Sequence, residues 1–245
     1  MKGGQSPKFA KFVNNYMPKL YIVATPIGNL EDLTFRALKI LKEVDFILAE
    51  DTRTTKILLD HYQIEKPLIS YHQHSKLEKI NQIIDLLKQG KNLALVSDAG
   101  TPGISDPGNK LIEKVIESLA DKVKIIPIPG PSALVCAASV SGFPMDRFLF
   151  LGFPPSKRKR KKFFEEIVKS KYPVILYESP YRILKTLKEL YEVETKLNTK
   201  QKLNIVVCRE LTKKFETIYR GKIEGVAEKI KNDKIKGEFV VIINK

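Results

Sequence analysis

Short runs of consecutive apolar residues alternate along this chain with longer stretches in which apolar positions return every three or four residues. Runs at Leu20–Ala24, Phe46–Ala49, Leu68–Tyr71, Leu93–Val96 and Val123–Ile126 have the length and composition of strands buried on both faces. Between them lie helical spacings such as Leu33, Ala37, Leu38 and Leu41, or Ile80, Ile83, Ile84 and Leu87. This alternation predicts a mainly parallel sheet with helices on both faces. Phe148–Pro155 reads as a strand followed by a break, which places a domain boundary there and gives expected units at 19–147 and 148–245. Past the break, strands are expected at Val174–Tyr177, Leu203–Cys208, Glu216–Arg220 and Phe239–Ile243, with helices near 158–170, 181–194 and 224–232. The second unit therefore reads as a smaller α/β domain with some antiparallel pairing. Residues 1–18 are basic, follow neither period and read as a flexible arm.

In an open α/β sheet ligands bind beyond the carboxyl ends of the strands, so the loops that leave the apolar runs are the places to look for chemistry. The fourth run leads into Ser97–Gly108, a loop made mostly of turn-forming residues and two aspartates. Its glycines allow close backbone approach, Pro102 and Pro107 fix φ, and Asp98 stands where a strand would hand it to a cleft. The first run ends in Thr25-Pro-Ile-Gly-Asn29, with no G-x-G-x-x-G, and no G-x-x-x-x-G-K-[ST] occurs anywhere. Dinucleotides and P-loop chemistry are thereby disfavoured, and a ligand without phosphates is favoured. Glu50-Asp-Thr-Arg53 follows the second run and reads either as a proton-transfer and orienting group or as a helix cap. Ser132 opens an Ala-rich helix at Ala133–Ala138, where free N–H groups grip a carboxylate or ribose or simply start the helix.

In the second half, Glu178 with Arg182, and Glu210 with Lys213 and Glu216, again stand at strand ends. Charged residues at several strand ends point to one shared cleft. His72 and His74 lack an obvious third ligand, so no metal is expected. No G-x-S-x-G elbow supports Ser-His-Asp chemistry.

The formal charge of the 245 residues is +15, and it is unevenly placed. Residues 1–155 hold 19 Lys and Arg against 16 Asp and Glu, whereas 156–245 hold 24 against 12. With six consecutive cations at Lys157–Lys162, this asymmetry points to a polyanionic partner, nucleic acid ahead of anionic lipid. The bland alternative is a lysine-rich composition, since 35 of the 43 basic residues are lysine. Cys136 and Cys208 lie in apolar surroundings without metal spacing, which fits inert thiols in a reducing cytoplasm. No apolar run approaches the ~20 residues of a membrane span, so a soluble cytoplasmic protein is expected.

Taken together, Thr25-Pro-Ile-Gly-Asn-Leu30, Ala49-Glu-Asp-Thr-Arg53, Val96-Ser-Asp-Ala-Gly-Thr-Pro102, Pro129-Gly-Pro131, Tyr177-Glu-Ser179 and Arg209-Glu-Leu-Thr-Lys213 closely resemble the ribosomal RNA small subunit methyltransferase I family. That family is part of the tetrapyrrole methylase superfamily. The resemblance runs collinearly over about residues 20–244. It implies a two-domain fold, a homodimer, and S-adenosylmethionine-dependent 2′-O-methylation of a cytidine ribose in the decoding centre of 16S rRNA in the 30S subunit.

Carried over by motif, it implies that Asp98, Ala99, Gly100, Thr101, Pro102 and Ile104 line the methionine part of the cofactor. Pro26, Ile27 and Gly28 would close one wall, Ser132 and Ala133 another, and Tyr177 and Gly237 would approach the adenosine. Glu50, Asp51, Arg53, Glu178 and Lys213 are the candidates for acting on the hydroxyl or orienting the ribose. Lys157, Arg158, Lys159, Arg160, Lys161, Lys162, Arg182 and Lys214 would hold RNA phosphates. Two alternatives stay open: methylation of a tetrapyrrole or of the modified histidine of elongation factor 2, and an RNA-binding module without catalysis. Enzymes of the former kind generally resemble Gly-x-Gly-x-Gly at the first strand end, which this chain lacks.

Overall fold

The computed structural model describes residues 17–198 and 202–245. All but the last two residues of the expected N-terminal arm lie outside that range. Five strands, β1 (Lys19–Val23), β2 (Phe46–Ala49), β3 (Leu68–Ser70), β4 (Leu93–Val96) and β5 (Lys124–Ile128), form one sheet in the order β3-β2-β4-β1-β5. Every pair in it is parallel. Successive side chains of a strand alternate between faces, and here both faces are apolar. Ile47, Ala49, Ala94 and Val96 meet α1 (Phe35–Glu43) and α2 (Thr52–His61) through Ala37, Leu41 and Leu58. Leu48, Leu93 and Leu95 point the other way, towards α3 (Leu77–Lys88) and α4 (Asn109–Leu119), where Ile80, Ile83, Leu111 and Val115 are fully buried. Continuous apolar runs are the sequence trace of such double coverage.

A second sheet has the order β6-β7-β10-β8-β9, from β6 (Leu149–Phe150), β7 (Val174–Glu178), β8 (Asn204–Arg209), β9 (Thr217–Lys222) and β10 (Phe239–Asn244). Only the β6–β7 pair is parallel. One face carries α6 (Arg160–Lys169), α7 (Ile183–Leu197) and α8 (Ile223–Lys231), with Phe164, Leu187, Leu190 and Val226 fully buried against Leu176, Ile205 and Val241. α6 begins later than its periodicity suggests because Lys159 is left-handed at φ 67° and stands outside the helix.

The other face of this sheet is covered from the first half of the chain. α5 (Ala133–Val140) lays Ala137 and Ala138 against Ile175, Val206, Val240 and Ile242, with Ile27 and Leu211 at the margin. Burying an Ile or Val of this kind contributes roughly 1.5–3 kcal/mol, so this small helix fixes one half firmly to the other. The architecture is α/β: a parallel five-stranded sheet joined through one apolar layer to a mixed five-stranded sheet.

Candidate active site

The turns that follow β1, β4 and β5 are laced into one wall by backbone and hydroxyl hydrogen bonds. Thr25 N donates to Gly100 O at 2.9 Å and Gly100 N to Thr25 O at 3.0 Å, so two loops meet as a miniature antiparallel bridge. The Thr25 hydroxyl donates to Ser97 O at 3.2 Å, and that of Thr101 to Pro131 O at 3.2 Å. Gly100 sits at φ +80°, where a side chain would be strained, and packs against Ile27. Pro26 and Pro102 are buried in this wall and stiffen it from behind.

This wall faces the second sheet across a cleft of about 400 Å³. Ile27, Asp98, Ala99, Gly100, Thr101, Ile104, Ser132 and Ala133 line it from the first half, as does Glu50. Tyr177 and Glu178 line it from β7, together with Phe153, Leu211, Glu238 and Phe239. The Tyr177 ring stands edge-on to Phe150 at 4.9 Å and to Phe153 at 5.6 Å. Burial raises its phenol pKa, although hydrogen bonds to the Leu134 backbone and the Ser132 side chain work against the rise. An adjoining cleft of about 310 Å³ lies past Asp98 and Ala99 and is lined by Pro26, Gly28, Thr54, Thr55 and Lys213. Gly237 lies outside both linings; at φ +90° it packs directly on the side chain of Glu210.

The carboxylates are the main electrostatic feature. Glu50 has its pKa raised by burial and by the charge of Asp98, partly offset by a hydrogen bond from the Asp98 backbone. Asp98 accepts from Asp51 N at 3.0 Å. Asp51 is the N-cap of α2, accepting from Arg53 N at 2.8 Å and from Arg53 Nη2 at 2.6 Å. Those bonds with Arg53 hold its carboxyl down at about 2. Asp51 and Arg53 thus pair with each other at the rim. Asp106, the second aspartate of the long loop, lies inside the cleft with its pKa pushed up to about 6, first by burial and then by the charge of Glu50.

On the opposite side the charges are committed to one another. The Glu178 side chain is fully buried, accepting from Thr186 Oγ1 at 2.6 Å, Ser179 N at 2.7 Å and Arg182 Nη2 at 2.9 Å. Arg182 also donates to Pro154 O at 3.2 Å. Glu178 and Arg182 are thus joined in an internal network that starts α7. Lys213 Nζ reaches Glu238 at 2.8 Å and Glu210 at 3.0 Å. Burial disfavours its ammonium, but the two carboxylates overcome that and raise its pKa, so it stands here as a cation and not as a base. The Lys213 turn is tightly wound, with Glu210 and Thr212 both at positive φ, and the Lys213 side chain crosses Gly28 so closely that a Cβ there would collide with it.

The basic run divides. Lys157, Arg158, Lys159, Lys161 and Lys162 are exposed, whereas Arg160 is only 5% exposed. Arg160 donates to Glu189 at 2.6 Å, to Pro155 O at 2.6 Å and to Thr186 Oγ1 at 2.9 Å. It shares Thr186 with Glu178 and ties α6 to α7. Lys214 is exposed, its Nζ 5.8 Å from the centre of the exposed Phe215 ring. Sequence reasoning missed Asp106, Phe153 and Glu238. Asp106 was visible as the second aspartate of the same loop; Phe153 and Glu238 carry no motif and enter only through strand pairing, Phe153 past the end of β6 beside β7 and Glu238 ahead of β10 beside β7.

The fold and cleft define a class. Residues 19–227 match the family model described as Tetrapyrrole (Corrin/Porphyrin) Methylases. Among solved structures, a cobalt-precorrin-4 methyltransferase superposes with a TM-score of 0.67 at 18% identity, covering 96% of this chain and 98% of that one. Uroporphyrin-III-C-methyltransferase from Thermus thermophilus gives 0.60 at 17%, over 93% and 94%. Identities this low show a common fold alone. Proteins named ribosomal RNA small subunit methyltransferase I are far nearer in sequence. That of Thermotoga maritima is 43% identical over 93% of this chain and 99% of its own, and that of Bacillus subtilis 45% over 91% and 74%. The chain belongs to the ribosomal RNA small subunit methyltransferase I family.

Proposed function

We propose that this protein transfers a methyl group from S-adenosylmethionine to small-subunit ribosomal RNA, at the 2′-hydroxyl of a cytidine ribose. The observation that carries the reading is a cleft at the strand ends, without a phosphate-binding motif, in a chain whose relatives are named ribosomal RNA small subunit methyltransferase I. The cleft suits the cofactor in size and chemistry. Its volume falls in the ~300–1,000 Å³ range of small-molecule sites. Tyr177 and Phe153 offer faces to an adenine, and carboxylates line it with no lysine, arginine or histidine among the described lining residues.

The cofactor supplies an electrophilic methyl group. A ribose hydroxyl is a weak nucleophile, so the chain has to align it and accept its hydrogen bond, and alignment of this kind is worth roughly 7–11 kcal/mol. Glu50, half-buried in the lining of the main cleft, is the acceptor. Lys213, charged and anchored between Glu210 and Glu238, orients the ribose from the other wall, and Arg53 and Asp51 form the entry. Glu178 acts by positioning Tyr177 and the start of α7.

Lys157, Arg158, Lys159, Lys161, Lys162 and Lys214 take the RNA phosphates. Two exposed aromatics outside the cleft lining, Tyr181 and Phe215, are placed to stack on splayed bases. Arg160 and Arg182 belong to the scaffold of that surface. The protein works in the cytoplasm as a homodimer. Among the described residues no helix is long and apolar enough to cross a membrane.

The test is transfer of labelled methyl from S-adenosylmethionine to 30S subunits that lack the modification, followed by nucleoside mass spectrometry. A 2′-O-methylated cytidine is the expected product. Cofactor binding without label on 30S or naked rRNA overturns the assignment of substrate.

A further inference from the structure

Five carboxylates line the cleft, those of Glu50, Asp98, Asp106, Glu178 and Glu238, and among the described residues no cation lines it with them. Four have partners. Glu178 is held by Arg182, Thr186 and Ser179 N, and Glu238 by Lys213. Asp98 takes the backbone N–H of Asp51 at the exposed edge. Glu50 receives the backbone N–H of Asp98, with the His72 ring among its neighbours. Among the described residues Asp106 has only the Ser97 hydroxyl to favour its charge, a group that also donates to Ala99 O at 3.3 Å, and it otherwise faces the like charges of Glu50, Asp98 and Glu238. A half-buried carboxylate among carboxylates is an arrangement that a bound cation would relieve.

Resting on the reaction proposed above, we propose that Asp106 faces the sulfonium of S-adenosylmethionine and makes the cleft select the methylated cofactor over its demethylated product. The two molecules share the adenosine, the ammonium and the carboxylate. In transfer the methyl carbon–sulfur bond breaks with its electron pair left on sulfur, a carbon–oxygen bond forms, and the hydroxyl proton passes to solvent. The product therefore differs by one methyl and one positive charge. A carboxylate without a countercharge, in a site partly shut off from water, discriminates on that charge far more strongly than on the methyl. Selection of this kind limits product inhibition and helps clear the site for the next cofactor.

The arrangement also couples binding to protons. The groups that face Asp106 are Glu50 after β2, Ser97 and Asp98 after β4, Tyr177 on β7 and Glu238 ahead of β10, none of them a cation. Near pH 6 the empty protein holds Asp106 partly protonated. A sulfonium beside it drives that proton off, whereas the neutral thioether does not.

The experiment is titration calorimetry of the full chain with S-adenosylmethionine, S-adenosylhomocysteine and sinefungin, whose ammonium replaces the methylated sulfonium. Measurements at pH 6 in buffers of different ionisation enthalpy read the protons released. Wild type is expected to release protons with the two cationic ligands only. Asp106→Asn should weaken both of those by about tenfold or more, leave S-adenosylhomocysteine within about twofold, and abolish the proton release. Equal loss for all three ligands, or no loss, overturns the role of Asp106 alone. Wild type that binds no S-adenosylmethionine overturns the proposed function as well. If Asp106→Asn does not fold, equal proton release by wild type with S-adenosylmethionine and S-adenosylhomocysteine overturns the inference without any variant.

Discussion

The two walls of the cleft are built by different physics. On the side of the parallel sheet, loops are fastened backbone to backbone, through the paired hydrogen bonds of Thr25 and Gly100 and the turns around them. On the side of the mixed sheet, the fastening is by charged side chains: Glu178 with Arg182, Arg160 with Glu189, and Lys213 with Glu210 and Glu238. A backbone-built wall depends on glycines and prolines that permit its path, while a wall built by ion pairs depends on every partner being present. The second wall should therefore be the more fragile to single substitutions and the more sensitive to pH and salt.

The largest effect is expected from Glu178→Ala, which strands a partly buried guanidinium and the Thr186 hydroxyl. Breaking such a pair costs about 3–5 kcal/mol and should lower Tm on the order of 10 °C, measured by calorimetry or circular dichroism. Arg160→Ala comes next, at roughly 2–3 kcal/mol, because three acceptors lose a charged donor. It should leave the salt dependence of RNA binding unchanged, and a reduced slope would contradict the division of the basic run.

Gly28→Ala tests the point where the walls touch. Its Cβ collides with Lys213, and overpacking of this kind costs about 1–3 kcal/mol. Lys213→Ala in the same chain should recover part of it, read as a coupling in a double-mutant cycle, since Thr212 Oγ1 at 2.9 Å and Leu211 O at 3.1 Å still crowd that Cβ. Additive losses would place the strain elsewhere.

Asp106→Asn is expected to stabilise. Its folded pKa, about 6, lies above the ordinary 3.8, so the folded chain binds the extra proton and loses stability as pH rises from about 4 to 6. The variant escapes that loss. Discounted for part exposure, the gain at pH 7.5 is on the order of 1–2 kcal/mol, and at pH 4 the difference should vanish. The smallest change in the fold belongs to Lys161→Ala with Lys162→Ala. These should leave Tm nearly unchanged and reduce the slope of log affinity against log salt by roughly 0.7 for each phosphate no longer neutralised.

How much of this was legible beforehand follows the same division. The parallel sheet was plain in the sequence because double-sided burial writes continuous apolar runs, and the loop at 97–108 announced itself through its turn residues. What stayed hidden depends on which way a side chain faces once distant strands are paired. Arg160 stands among five exposed cations and looks like one of them; only the packing of α6 on α7 turns it inward. Glu178 reads as a strand-end acid until Thr186, in the first turn of the next helix, is seen to hold it. Asp98 and Asp106 share one loop, yet spacing alone does not say which is left without a partner.

α5 has a mechanical consequence. It begins at the cleft wall beside Ser132, runs under the second sheet, and ends where Arg220 of the outermost strand β9 donates to Val140 O at 2.6 Å. An eight-residue rod thus connects the pocket floor to the far margin of the other half. Swinging the halves apart like a clamshell would drag its oily underside into water. Traffic into and out of the pocket is therefore expected to pass by local movement of the rim, with the two halves held in place.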